Sequence, residues 1–440
     1  MTTEKLDTVS SLVTVEEPIK SVQASPGSTS VHHIQRAGGL WADTISYPDG
    51  GLRAWLIVFG SFFSVFSSFG YVNSWGVFQA YYEVQLLKGN NSSAMYLIRG
   101  NLTPIPDSMA HEICLTFGLA IFMGRLFDNG WFALPAACAS LSLITLTILT
   151  DECTEYWHFL LCQGFGVGIS TGIIFGPTLP VVSHWFKRRR STALGIVAAG
   201  GSVGGLLIPI MVQNLIPRIG FRWTMRVLAL LFLFTTGIMN LSMKRRLPPV
   251  QTGGGIFNWK AFKFPPFALY TFSVFVCFFG LYTLLTYIDI SATSAGLDPS
   301  FDVYLLAFAN AASGGCISVM IPGTLLAAVV TYIWPFVTTL PALIAVAVIY
   351  GFASGVFVGL QAVPLMHMGD MPDVGRRTGT LFSVLSLSAL AGPPISGAIA
   401  SRTGGYEAVG FYAGSTMMVA LGILWYVRYL MTGKLFGGKF

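Results

Sequence analysis

Residues 264–375 of this chain contain no lysine and no arginine. A water-soluble fold does not leave so long a run without cations, because about a quarter of its residues are charged. Over all 440 residues the charged fraction is 10%, against 53% hydrophobic, and the mean hydropathy is +0.67. Crossing the hydrocarbon core takes ~20 predominantly apolar residues, and windows of that kind succeed one another along the sequence. Glycine (49) and proline (22) suit membrane helices, where small residues let backbones approach and neighbours re-satisfy freed backbone groups. The expected class is an all-α polytopic membrane protein with the lipid bilayer as its first partner.

Candidate spans lie near residues 54–78, 131–150, 157–182, 192–216, 223–243, 266–288, 340–366, 379–400 and 408–430. A further apolar stretch, 113–127, is short for a span and follows a polar block, 88–112, that carries Pro104 and Pro106. Residues 302–339 barely hold two spans. About twelve spans are expected, with the second, eighth and ninth irregular. Residues 1–46 are polar and lack an early apolar core, so they read as a disordered tail rather than a secretory signal.

Lysine and arginine hold loops on the cytoplasmic side. They cluster at Arg125, at Lys187, Arg188, Arg189 and Arg190, at Lys244, Arg245 and Arg246, at Arg376 and Arg377, and in the C-terminal tail. With a cytosolic N-terminus all of these fall inside, while Asp151, Glu152 and Glu155 fall outside; both termini are expected in the cytosol of a multi-pass cell-membrane protein. Arg218, Arg222 and Arg226 are exceptions near the outer face. The basic stretch 244–265 divides the chain into an N-terminal half (47–243) and a C-terminal half (266–430), with a short cytosolic tail at 431–440. The halves echo one another at an offset of 187 residues, which pairs Arg189 with Arg376, Arg190 with Arg377, Leu194 with Leu381 and Gly205 with Gly392.

The segment HWFKRRRSTALGIVAAGGSVGG invites a phosphate-loop reading, but such a loop needs its lysine after the glycines, and here the cations precede them. A nucleic-acid face needs a basic surface on a soluble domain, so no nucleic-acid partner is expected. Gly195, Ala199, Gly200, Gly201, Gly204 and Gly205 instead suit close helix packing. The six cysteines form no C-x-x-C pair and read as small buried hydrophobes, and no metal or cofactor is called for. Asn91 and Asn101 are sequons in the expected outer loop after the first span.

GRLFDNG, with Arg125 and Asp128 three apart, resembles the inter-span motif of the major facilitator superfamily, where it implies a charge clamp that opens and closes with transport. PDGGLRAW (48–55) and HWFKRRRSTALGIVAAGGSVGG are similar to the two signatures of that superfamily's monocarboxylate porter family, and MPDVGRRTGTLFSVLSLSALAGPPISGAI to its fungal branch. The resemblance covers most of 48–430. It implies two pseudo-symmetric six-helix halves and secondary transport of a small organic solute, an organic acid or a fungal secondary metabolite, with efflux as open as uptake. It implies a conformational role for Arg125, Asp128, Arg189, Arg190, Arg376 and Arg377. Where the family has a lysine in its first span, this chain has Asn73, and the arginine expected after ANAASG is absent, so lactate-like proton symport is not implied. The polar groups left at mid-span depth are Tyr71, Asn73, Asn310 and Gln361, the expected substrate contacts. Asp289 is the titratable group expected to couple transport to protons. A transport-deficient sensor or defective variant is the alternative. A membrane enzyme would need clustered acids or histidines at one depth, which the sequence lacks.

Overall fold

The computed structural model describes residues 47–81, 107–154, 156–247, 255, 258–294, 320–369 and 373–433. Among them the chain is helical throughout, within one unit spanning Ser46–Phe440. The first span is α1 (Leu52–Val72), continued by α2 (Trp75–Tyr81). The second is α3 (Asp107–Gly118) and α4 (Ala120–Asp128), broken at Leu119. The third is α5 (Ala133–Leu149). The fourth runs from α6 (Tyr156–Phe159) through a π-helical stretch, Leu160–Val167, into α7 (Gly168–Phe175) and α8 (Thr178–Ser183).

Next comes α9 (Arg190–Ser242), 53 residues long. At 1.5 Å per residue it would reach about 80 Å, far more than the ~30 Å of a bilayer core. It is two antiparallel limbs joined at Gly220, whose φ of 79° breaks the helix where only glycine sits without strain. The C-terminal half holds α10 (Pro265–Ser294), α11 (Met320–Ile333), α12 (Leu340–Leu360), α13 (Val374–Thr403) and α14 (Glu407–Thr432). The expected eighth span, with Asn310, lies outside the described residues, as do Asn91 and Asn101. Asp289 lies on α10, and its side chain is outside the described set.

Helices can touch in lipid only where side chains are small or hydrogen bonds cross. The first span sits between the two limbs of α9 on both terms. A methyl group at Gly204 would lie 2.5 Å from the Phe66 carbonyl oxygen, and Ser67 bonds Thr235 at 2.7 Å. The seventh span, α10, is sandwiched in the same manner between α13 and α14. Thr283 bonds Ser396 at 2.8 Å, and Ser273 donates to the Ala420 carbonyl at 2.7 Å. Large apolar side chains such as Leu134, Leu141, Leu230, Phe234 and Leu241 face outward, as a lipid environment requires.

At the turn joining the limbs of α9, the three exceptional arginines find a partial explanation. Arg222 pairs with Asp151 at 3.3 Å and with Glu152, and Arg226 approaches Asp151 at 3.7 Å. Acids from the turn after the third span thus neutralise two of the cations.

At the opposite, basic end the two signature segments meet. Asp49 accepts hydrogen bonds from the amides of Lys187 at 2.6 Å and Arg188 at 2.7 Å, with Arg189 at 3.5 Å. Trp55 packs edge-on against Phe186 with centroids 5.3 Å apart. A carboxylate here satisfies amides of the turn that leads into the first limb of α9 and complements the helix dipole. Burial opposes its charge, but those amides and Arg190 hold the Asp49 carboxyl below its ordinary range. A depressed carboxylate stabilises the fold above its unfolded pKa of ~3.9 and loses that contribution as pH falls through its lower folded value. Asp49→Ala is therefore expected to cost about 1 kcal/mol at neutral pH. Thermal unfolding of purified protein over a pH series checks this: the gap between the two proteins should close on acidification.

Candidate functional site

Two features lie where the halves face each other, a cavity and a contact at the basic end. The cavity holds about 860 Å³ of empty space, part of it open to solvent. Its walls come from both halves and follow helical periodicity. Val65, Phe69 and Asn73 form one face of the first span, and Val197, Ala198, Gly201 and Ser202 one face of α9. Gly351, Ser354, Gly355, Val358 and Gly359 form the facing stripe on α12, where the missing side chains make the room. Phe175 and Phe382 close the wall with Phe117 behind them, stacked on Phe382 at 5.4 Å.

Asn73 and Gln361, both expected as substrate contacts, line this cavity. Gln361 is 2% exposed, and its side-chain oxygen meets no hydrogen-bond donor among the described residues. Such an acceptor costs about 1–3 kcal/mol while it stays unpaired, so a solute bearing a donor is favoured there. Tyr71 is not part of the wall. It is buried in the N-terminal half, edge-on to Phe78 and Phe232. The reason is angular: Phe69 and Asn73 share a face four residues apart, and Tyr71 between them points to the opposite side. Ser202, Tyr282 and Ser354 complete the polar lining and were not anticipated. The small-residue run YGFASGVFVGL was the available signal, since Gly351, Ser354, Gly355 and Gly359, at i, i+3, i+4 and i+8, clear one face of a helix. No charged side chain lines the cavity among the described residues.

At the basic end α4 and α13 touch through their backbones. A methyl group on Gly124 would collide with the Gly375 carbonyl, and one on Gly375 would lie 2.5 Å from both the Gly124 carbonyl oxygen and Asp128 Oδ1. This closeness brings the Asp128 carboxylate onto the start of α13, where it accepts from the amides of Gly375 at 3.1 Å and Arg376 at 2.8 Å. Arg245 donates to the Phe127 carbonyl and, at 2.5 Å, to that of Asp128. A cation there suits the carbonyl end of α4.

Arg125 is half-buried, and its side chain makes no hydrogen bond or ion pair with described residues, while its carbonyl accepts from the Asn129 amide at 3.0 Å. The inter-span contact of GRLFDNG is thus a carboxylate on a helix N-terminus rather than an arginine–aspartate pair. Arg189 is exposed, and Arg190 is buried with its Nε donating to the Phe186 carbonyl at 2.9 Å. Its duplicated counterpart Arg377 pairs with Asp373 at 2.8 Å and donates to the Leu365 carbonyl at 2.7 Å. Arg376 is buried beside the contact. His184, at the same end, is pushed down to about 3 by burial and by the charges of Arg245 and Arg190, which favours its neutral form.

Breaking the Asp128 contact should let this end open. In Asp128→Asn, labelling of a cysteine placed at Ser383, whose hydroxyl bonds the Gly118 carbonyl at 2.8 Å, is expected to rise about tenfold above the background of native cysteines, matching loss of one charge-assisted hydrogen bond. Asp49→Asn, outside the contact between halves, should leave that labelling unchanged.

The comparisons with known proteins agree with this geometry. A family model described as Major Facilitator Superfamily matches residues 112–321. MFS-type transporter 1 of Ophiocordyceps sp. is 33% identical over 395 residues, covering 86% of this chain and 85% of its own length. The fujikurins efflux protein of Gibberella fujikuroi is 33% identical over 404 residues, covering 88% and 85%. The aspyridones efflux protein apdF of Emericella nidulans is 29% identical over 417 residues, covering 91% and 82%. The crystal structure of the human organic anion transporter MFSD10 shares the fold, with a TM-score of 0.64 over 84% of this chain and 99% of that one at 15% identity. With two sandwiched halves, a cavity between them and relatives of this kind along most of its length, the chain belongs to the major facilitator superfamily and is a membrane transporter, not an enzyme.

Proposed function

We propose that this transporter exports an amphipathic fungal secondary metabolite or other small organic acid, carried in its uncharged form, by alternating access and without ATP. The observation that supports this most is the cavity: uncharged, largely apolar, shared by both halves, and supplied with a buried unpaired acceptor on Gln361. A small carboxylate anion would need a cation to replace its hydration, and the lining offers none. An amphipathic solute gains from the apolar walls and satisfies Gln361 with a hydroxyl or N–H. The relatives whose printed names specify efflux of fujikurins and aspyridones support the same direction of transport.

In this reading the basic end faces the cytosol, as the lysine and arginine clusters favour. The Asp128 contact then closes the cytosolic entrance, and its release admits solute. The expected resident membrane is the cell membrane. Monocarboxylate-porter kinship enters as part of the proposal, on the two signature segments that meet at Asp49.

Expression in a transporter-deficient yeast tests the function. Cells carrying the chain should retain less of at least one labelled amphipathic metabolite from a panel that also includes short monocarboxylates. Equal retention of every solute by cells with inserted protein and with empty vector would overturn the reading. For the exported solute, Gln361→Leu should raise the apparent KM about tenfold with surface expression unchanged, the effect of losing one buried hydrogen bond.

A further inference from the structure

Glu112 is 1% exposed, yet nothing in the sequence reading gave it a role beyond the border of a polar block. It sits on α3, packed inside the N-terminal half and away from the cavity wall. One of its carboxylate oxygens meets no hydrogen-bond donor among the described residues. Gly168 lies so close that a methyl group there would come within 3.2 Å of the Glu112 Cα. This approach follows the π-helical stretch Leu160–Val167, a wide turn of the kind that recurs at functional sites.

Among the described residues, the groups around it are uncharged or engaged elsewhere. Tyr71 of α1 shares its surroundings, with Thr147 and Thr150 of the third span and Cys162 of the π-helical stretch. The two threonine hydroxyls donate to their own helix, to the Leu143 carbonyl at 2.7 Å and the Leu146 carbonyl at 2.8 Å. Thr116 and Thr171 bond each other at 2.8 Å. Cys153 neighbours Cys162, and buried Gln163 adds an amide. On α13, residues 378–401 include no ionisable side chain. Toward the turn of the third span, Arg222 and Arg226 are held by Asp151 and Glu152, Arg218 is exposed, and His158 packs at a tilt against Trp157. Arg53, Arg125 and Asp128 belong to the basic end. No cation among the described residues faces it, and a carboxylate so placed is costly where a protonated carboxylic acid is not.

We propose that Glu112 is a proton-binding site and the residue through which transport is coupled to a proton gradient; the coupling rests on the transport reading above. The step is simple: the carboxylate gains one proton in the closed conformation and releases it when water reaches it, with no other bond changed. Coupling has a mechanical route. Glu112 and Asp128 sit on the same span, about 24 Å apart along a helix of that length, so movement of the basic end shifts the packing around the acid.

Two measurements on the full-length protein in lipid test this. In infrared difference spectra, the wild type should show the carbonyl band of a protonated carboxylic acid at neutral pH, and Glu112→Gln should lack it. In proteoliposomes loaded with the solute identified by the yeast assay, Glu112→Gln should exchange it at the wild-type rate but lose pH-gradient-driven accumulation by about tenfold. Glutamine is the neutral isostere of the protonated acid, so folding should survive, and monodispersity on size exclusion checks it. Absence of a Glu112-dependent band, or gradient-driven accumulation undiminished in Glu112→Gln, would overturn the proposal. If the wild type moves no solute, the transport reading fails by itself, and the infrared band still decides whether Glu112 holds a proton.

Discussion

The basic end of this molecule depends on one interaction used twice, a carboxylate seated on amides at the approach to, or the start of, a helix. Asp49 takes the amides of Lys187, Arg188 and Arg189; Asp128 takes those of Gly375 and Arg376. At the offset of 187 residues that relates the halves, Arg188 corresponds to Gly375 and Arg189 to Arg376. Equivalent amides are therefore capped in both halves, but by carboxylates from different places. Asp49 comes from the same half and fastens the first span to the fifth. Asp128 comes from the other half and fastens the second span to the eleventh. The same chemistry makes a joint within one half in the first case and a joint between the halves in the second; in the proposed alternating-access cycle only the second would have to part.

The cavity follows from a complementary economy of side chains. Its room is made by glycine, alanine and serine on α9 and α12, and its recognition elements are amides and hydroxyls rather than charges. In a low-dielectric interior an unpaired charge is far more expensive than an unpaired amide oxygen. A vacant site can carry the second and not the first.

Much of the fold was legible in the sequence because lipid imposes local rules. The apolar windows 192–216 and 223–243 became the two limbs of α9, separated at Gly220, and the arginine echo marked the approach to the fifth and eleventh spans. Polarity at span depth points to Asn73 and Gln361, and both line the cavity. Tyr71 was drawn in by the same criterion, although its angular position sends it to the other side of α1. What stayed hidden depends on distant partners. Asp49 lay inside a quoted motif, but its role needs residues 187–189, far along the chain. The π-helical stretch has no signature of its own and goes with the glycines that bring the fourth span against Glu112. Glu112 itself was read as the edge of a polar loop, since nothing local reveals that α3 begins before it.

The contact between Gly124 and Gly375 has an evolutionary consequence. The two positions press backbone on backbone in this structure, and in the proposed cycle an open form would relieve them. Under that cycle, selection against larger residues there would act through only one conformation. Substitution patterns at these two sites across descendants of this chain would record how strictly the closed state has been maintained, separately from any change in what the transporter carries.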